Sequence, residues 1–138
     1  MSNLRTAEKG AVVGTLKLAP ISRHTLALYC GASGDHNPIH VDIDFAKAAG
    51  MPDVFAHGML SMAYLGRLLT QIAPQAALRS FSTRFTAITQ LKAEITCTAK
   101  LVDRFKEGGE ERAKLELTAA DQNNDVKLLG EAVVAIQN

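Results

Sequence analysis

The spacing of hydrophobic and polar residues changes character along the chain. "AVVGTLKLAPIS" alternates loosely and is rich in β-branched residues around Val12 to Leu18 before reaching Pro20 and Ser22, which predicts a strand, a turn and a helix start. "SRHTLALYCGASG" reads as a short helix with Ser22 as N-cap, closing near Gly31 or Gly34, and its Leu26, Leu28 and Tyr29 are expected to face a core. From Gly58 to Ala73 apolar residues fall on nearly every side (Met59, Leu60, Met62, Ala63, Leu65, Leu68, Leu69, Ile72) until Pro74 ends the run. A buried central helix is predicted there. At about 16 residues, or about 24 Å, and carrying Arg67 and Gln71, the run falls short of the roughly 20 apolar residues of a membrane span.

After Pro74 the period falls to two. "LRSFSTRFTAIT", "AEITCTAKLVDRF", "ERAKLELTAADQ" and "KLLGEAVVAIQ" read as strands, separated by turn-like stretches such as "KEGGEE" and "DQNND". With the early strand they make an antiparallel sheet of about five strands. One long apolar helix laid across such a sheet is an α+β architecture, and a sheet wrapped round a buried helix is the hot-dog arrangement. No repeat and no low-complexity linker interrupts residues 1–138, so a single domain is expected.

Composition narrows the function classes. The chain is 47% hydrophobic and 21% charged, ordinary for one globular domain. Fifteen Lys and Arg against fourteen Asp and Glu leave a net charge of +1 without a basic run, which argues against nucleic-acid or anionic-membrane partners. "MSNLRTAEKG" lacks the apolar core and cleavage site of an export signal, so a cytoplasmic location is expected. Cys30 and Cys97 fit no metal spacing, are too few for a disulfide scaffold, and are assigned as small buried residues. His24 is assigned to the surface.

The chemistry concentrates in "YCGASGDHNPIHVDIDFAKAAGMPDVFAHGML", Tyr29 to Leu60, which holds three of the four histidines. Asp35 and His40 stand five apart with Pro38 between them, so a turn and not a regular helix places them. Such a turn can fold a carboxylate and an imidazole toward one point, where they share a water molecule. The plainer alternative makes Asp35 a local cap and His40 a satisfied residue. In "AHGML", Gly58 opens the central helix, where unpaired N–H groups and the positive end of the helix dipole offer an oxyanion site and a glycine lets a carbonyl approach closely. Alternatively Gly58 eases a corner and His57 caps the helix. A metal site drawn from Asp35, His36, His40 and His57 is disfavoured, because Pro38 breaks the helix that would align His36 with His40.

"ASGDHNPIHVD" followed by "FAHGML" resembles the hydratase motif of the MaoC-like dehydratases, the (R)-specific enoyl-CoA hydratase group of fatty acid metabolism, whose fold is the hot-dog. The likeness is close over residues 29 to 60, and the order of elements around it matches nearly the whole chain. It implies that the catalytic aspartate is Asp35, the catalytic histidine His40 and the oxyanion-binding amide that of Gly58. Asn37 is expected to hold the turn, and His57 is counted with it as a supporting residue. Two stretches depart from the pattern. Many members carry F-x-x-P-V-x-x-G-D after the central helix, whereas this chain reads "FTAITQLKAE", with Ile88 for the proline and Lys92-Ala93 for Gly-Asp, so a different turn is expected. Gly66 stands where some hydratases have a serine.

The activity implied is that of a lyase: reversible hydration of trans-2-enoyl thioesters to (R)-3-hydroxyacyl thioesters. No metal or redox cofactor is needed, since coenzyme A or an acyl-carrier pantetheine is part of the substrate. The alternatives are a non-catalytic partner subunit of a heterodimeric dehydratase and a hot-dog acyl-CoA thioesterase. An unpaired edge strand in a lone protomer leads us to expect a homodimer or higher homo-oligomer. Met59, Met62, Tyr64 and the loop from Lys47 to Phe55 are expected to shape the acyl tunnel, and Arg79, Arg84 and Lys92 are candidates for carrier phosphates.

Overall fold

A computed structural model describes residues 4–136. Five strands, β1 (Val12–Lys17), β2 (Leu78–Phe85), β3 (Thr96–Glu107), β4 (Glu110–Ala120) and β5 (Val126–Ala135), form one sheet in the order β1-β3-β4-β5-β2, and every neighbouring pair is antiparallel. Three α-helices, α1 (Arg23–Ser33), α2 (Ile43–Ala48) and α3 (Gly58–Ile72), lie between β1 and β2, with 3-10 turns at Pro38–His40 and Gln75–Ala77. The last expected strand ran to Gln137, which lies outside the described residues.

Alternation decides which face of the sheet is covered. On β4, Ala113, Leu115, Leu117 and Ala119 are fully buried while Lys114, Glu116 and Thr118 between them point the other way. Cys97, Ala99 and Leu101 of β3 and Leu128, Ala132 and Val134 of β5 continue the same face. Against it lies α3, which buries Leu60, Leu65, Leu68, Leu69 and Ile72 and touches β1, β3, β4 and β5. This is the helix-in-sheet arrangement the pattern predicts. Turn chemistry closes the hairpins. Gly108 and Gly109, at φ +60° and +78°, join the paired residues Glu107 and Glu110 in the two-residue loop that requires positive φ. At the next corner the Asp121 carboxylate accepts from the Asn123 and Asp125 amides, and with Asp125 it neutralises the buried Lys127 ammonium.

Two expectations change. Leu28 is 61% exposed, and α1 instead buries Leu26 and Cys30. At about 100° per residue, position 28 points roughly opposite to position 26, whereas position 30 returns to within about 40° of it. The second change is α2, for which the pattern predicts no element. The Asp42 carboxylate caps it by accepting from the Asp44 and Phe45 amides, and its 6 residues are too few for a periodic signal.

The departure at "FTAITQLKAE" has a backbone consequence. Lys92 takes φ +67°, a left-handed conformation that glycine adopts freely and a lysine does not. Its N–H donates to the Ile21 carbonyl at 2.7 Å, and the Ile21 N–H donates to the Ala93 carbonyl at 3.1 Å, so the corner is held despite the strain. Lys92→Gly should therefore raise stability by about 1 kcal/mol in urea unfolding. An unchanged or lowered midpoint would show that the turn carries no strain.

Candidate active site

The site is assembled where α1 ends. Gly34, at φ +75°, closes α1 by donating its N–H to the Cys30 carbonyl, and the chain then doubles back. Ser33 Oγ accepts the Asp35 N–H at 3.1 Å, and one Asp35 carboxylate oxygen accepts the Asn37 N–H at 3.2 Å. Asn37 in turn caps the 3-10 turn by accepting from the Ile39 N–H at 3.1 Å, with Pro38 at the first position, where no amide hydrogen is needed. Asn37 thus caps this turn with its side chain. Asp35 does serve as a local cap, yet its side chain remains exposed.

His40, on that turn, is buried at 8% exposure. Its Nδ1 lies 2.7 Å from the Phe55 carbonyl oxygen. Because a carbonyl only accepts, Nδ1 carries the hydrogen, and the neutral ring keeps its lone pair on Nε2. Phe55 is itself braced: it bridges Gln90, and the Ala56 N–H donates to the Thr89 carbonyl at 2.9 Å. The segment that departs from the family pattern therefore supports the acceptor that orients His40.

His57 is the most enclosed of the three, at 1% exposure. Its ring stacks on His40 with centroids 3.8 Å apart and planes at 26°, and Tyr29 meets it edge-on at 4.8 Å. Nε2 donates to the Asp35 main-chain carbonyl at 3.2 Å, with Cys30 Sγ 3.5 Å from the same nitrogen. Nδ1 has no partner. The reading of His57 as a side-chain cap of α3 is corrected: it occupies the N-cap position but makes no capping hydrogen bond, because its ring is turned toward α1 and Asp35. The first amides of α3 thus have no side-chain acceptor. Gly58 is exposed, and the space beside its Cα is filled by the Phe85 ring, 2.8 Å from where a Cβ would stand. Phe85 therefore closes that flank of Gly58, so the close approach expected of the glycine is not open there.

Asp35, His40 and His57 present donor atoms within 4.8 Å of one another; His36 is exposed and outside this group. On spacing alone three metal ligands meet here. One nitrogen of each ring is engaged by a carbonyl, which leaves His40 Nε2 and His57 Nδ1 as the open ring nitrogens. A carbonyl on the far nitrogen is also how metal-ligating imidazoles are oriented, so these bonds are compatible with a cation as well as with a water shared between carboxylate and imidazole.

Sequence reasoning assigned Tyr29 and Cys30 to the core and gave the Phe55 carbonyl no part. Their presence at the site depends on α1 packing against the start of α3, which local pattern does not encode. Of the phosphate candidates, Arg79 is held by both carboxylate oxygens of Glu110, at 2.7 and 3.0 Å, while Arg84 and Lys92 are exposed. A Cβ at Gly66 would touch only Phe81, at 3.7 Å, so packing leaves room there for a small side chain.

Burial, and next the neighbouring His40, hold the His57 pKa below its ordinary value, against the pull of the Asp35 carbonyl and carboxylate. Burial and the Asp35 charge raise that of Tyr29. The ordinary histidine value is near 6.5. As pH falls through it, the unfolded chain takes up a proton that folded His57 refuses, so stability that is complete above that value is lost on acidification. His57→Phe removes this contribution. Its unfolding midpoint should fall less than that of wild type between pH 7 and pH 5, and parallel profiles would show that His57 titrates freely in the fold.

A family model described as "MaoC like domain" matches residues 5–124. The (R)-specific enoyl-CoA hydratase of Rhodospirillum rubrum is 30% identical over 118 residues, which is 84% of this chain and 80% of that protein. The unliganded R-hydratase PhaJ1 of Pseudomonas aeruginosa superposes with a TM-score of 0.84 at 22% identity, over 99% of this chain and 87% of that one. Other relatives are matched only in part. The chain spans 44% of the 3-hydroxyacyl-thioester dehydratase Z of Mycobacterium tuberculosis, at 36% identity over 66 residues. It spans 5% of the fatty acid synthase subunit beta of Aspergillus oryzae, at 31% over 101 residues.

Proposed function

The chain belongs to the MaoC-like domain family, and from that premise we propose that it reversibly hydrates trans-2-enoyl thioesters to (R)-3-hydroxyacyl thioesters. The observation that carries this reading is the pairing of an exposed Asp35 carboxylate with His40, whose Nε2 lone pair is left free by the Nδ1 bond to the Phe55 carbonyl.

Addition of water to a conjugated thioester requires a base for the water, a proton for Cα and donors for the developing enolate oxygen. In our reading Asp35 and His40 Nε2 hold the water between them. Asp35 takes its proton as the oxygen bonds to Cβ, the C=C π pair moves through Cα onto the thioester oxygen, and the Gly58 amide at the positive end of α3 receives that charge. The enolate collapses as Cα gains a proton from the Asp35–His40 pair, so the elements of one water are added and the site ends in its starting protonation state. The reverse sequence is dehydration. Coenzyme A or a carrier pantetheine enters as part of the substrate.

Purified protein should consume the enoyl absorbance of crotonyl-CoA without releasing free thiol. Thiol release would mark a thioesterase, and inertness a subunit that needs another partner. Asp35→Asn keeps the shape but lacks the basicity, so turnover should fall about a hundredfold in a folded protein. More than a third of wild-type turnover would remove Asp35 as base.

We further read the assembly as a homodimer joined along β2, one of the two edge strands of the sheet. Beside that edge Phe85 and Met59 are 51% and 52% exposed, an apolar margin next to Gly58 that a second copy would cover. Sedimentation at micromolar concentration should give about twice the 14.8 kDa chain mass. A stable, active monomer would refute the pairing.

A further inference from the structure

One buried side chain connects both members of the acid–base pair without belonging to it. His57 touches α1 through Tyr29 and Cys30, the Asp35 turn through the main-chain carbonyl, and the 3-10 turn through the stacked His40 ring, while its own backbone begins α3. We propose that His57 is a positioning residue of the hydration reaction: its Nε2–H fixes the Asp35 main chain, and its ring is the wall against which His40 is held.

Each half rests on a separate contact. Among the described residues, Asp35 is otherwise ordered by its N–H donating to Ser33 Oγ and its carboxylate accepting from the Asn37 N–H, both exposed and two residues away. The 3.2 Å bond from His57 crosses 22 residues of sequence and is the long-range tie that sets the carboxylate-bearing turn relative to α3 and the Gly58 amide. His40 is anchored at one nitrogen by Phe55, a single hydrogen bond about which an imidazole can still tilt. Stacking on His57 at 3.8 Å and the edge-on Phe55 ring at 5.2 Å restrict that tilt and aim Nε2. The unpartnered Nδ1 fits this assignment. A buried imidazolium would place a second N–H there with no acceptor, beside another imidazole, so His57 works as the neutral Nε2–H tautomer. The titratable groups facing it are Tyr29 and Cys30 from α1, Asp35 from the turn and His40 from the 3-10 turn.

A group that only fills the core is replaceable by a ring of similar size, whereas a donor that positions Asp35 is not. Three variants separate these: His57→Phe keeps the ring without the donor, His57→Gln places an amide N–H near the Nε2 position, and His57→Asn places one near Nδ1, away from the Asp35 carbonyl. Crotonyl-CoA hydration and melting temperature are measured for each. With the positioning role, folded His57→Phe loses about ten- to a hundredfold in kcat while KM changes less than about threefold, and His57→Gln exceeds both Phe and Asn in kcat. The role rests on the hydratase reading, and the two fail differently. A wild-type protein that leaves crotonyl-CoA untouched overturns both, whereas an active wild type with a fully active His57→Phe variant overturns the role alone. Should His57→Phe fail to fold, a His57→Gln variant no better than His57→Asn overturns it equally.

Discussion

Because α3 buries Leu65, Leu68 and Leu69 against the inner face of the sheet, its N-terminus has one place to be, and everything at the site is arranged around that fixed end. The helix cannot slide or rotate without exposing those leucines or leaving a void in a close-packed interior, either of which is worth several kcal/mol. Its first residue, Gly58, therefore offers its amide at a set position, and the preceding His57 is drawn under cover with it. The catalytic geometry we propose inherits its rigidity from a hydrophobic contact that contains none of the reacting groups.

Carbonyl oxygens do the fine positioning. The Phe55 and Asp35 carbonyls each accept from one imidazole nitrogen, and since a carbonyl cannot donate, each also selects a tautomer. His40 is left with its lone pair at Nε2 and His57 with its at Nδ1. Two stacked imidazoles 3.8 Å apart then differ in environment: His40 keeps an open Nε2 close to Asp35, while burial holds the His57 pKa below its ordinary value. The peptide that supplies the Phe55 acceptor is secured by Thr89 and Gln90, which lie in the stretch where the family motif is not followed. That stretch turns a left-handed corner at Lys92 and closes back on Ile21.

The sequence by itself determined the architecture. Period-two alternation after Pro74, the apolar run from Gly58 and the glycine pair at 108–109 each state their element locally, because strand faces, helix burial and positive φ are properties of a few adjacent residues. The motif singled out Asp35, His40 and Gly58, on which the proposed reaction rests, and Asn37, whose side chain caps the 3-10 turn. Tertiary structure alone decided the rest. That Leu28 faces solvent while Cys30 reaches a histidine follows from which side of α1 meets α3, and that His57 serves Asp35 and not its own helix end follows from packing across 22 residues. Such contacts join segments whose local patterns are silent about each other, and their physical origin is the way apolar surfaces close when the helix settles into the sheet.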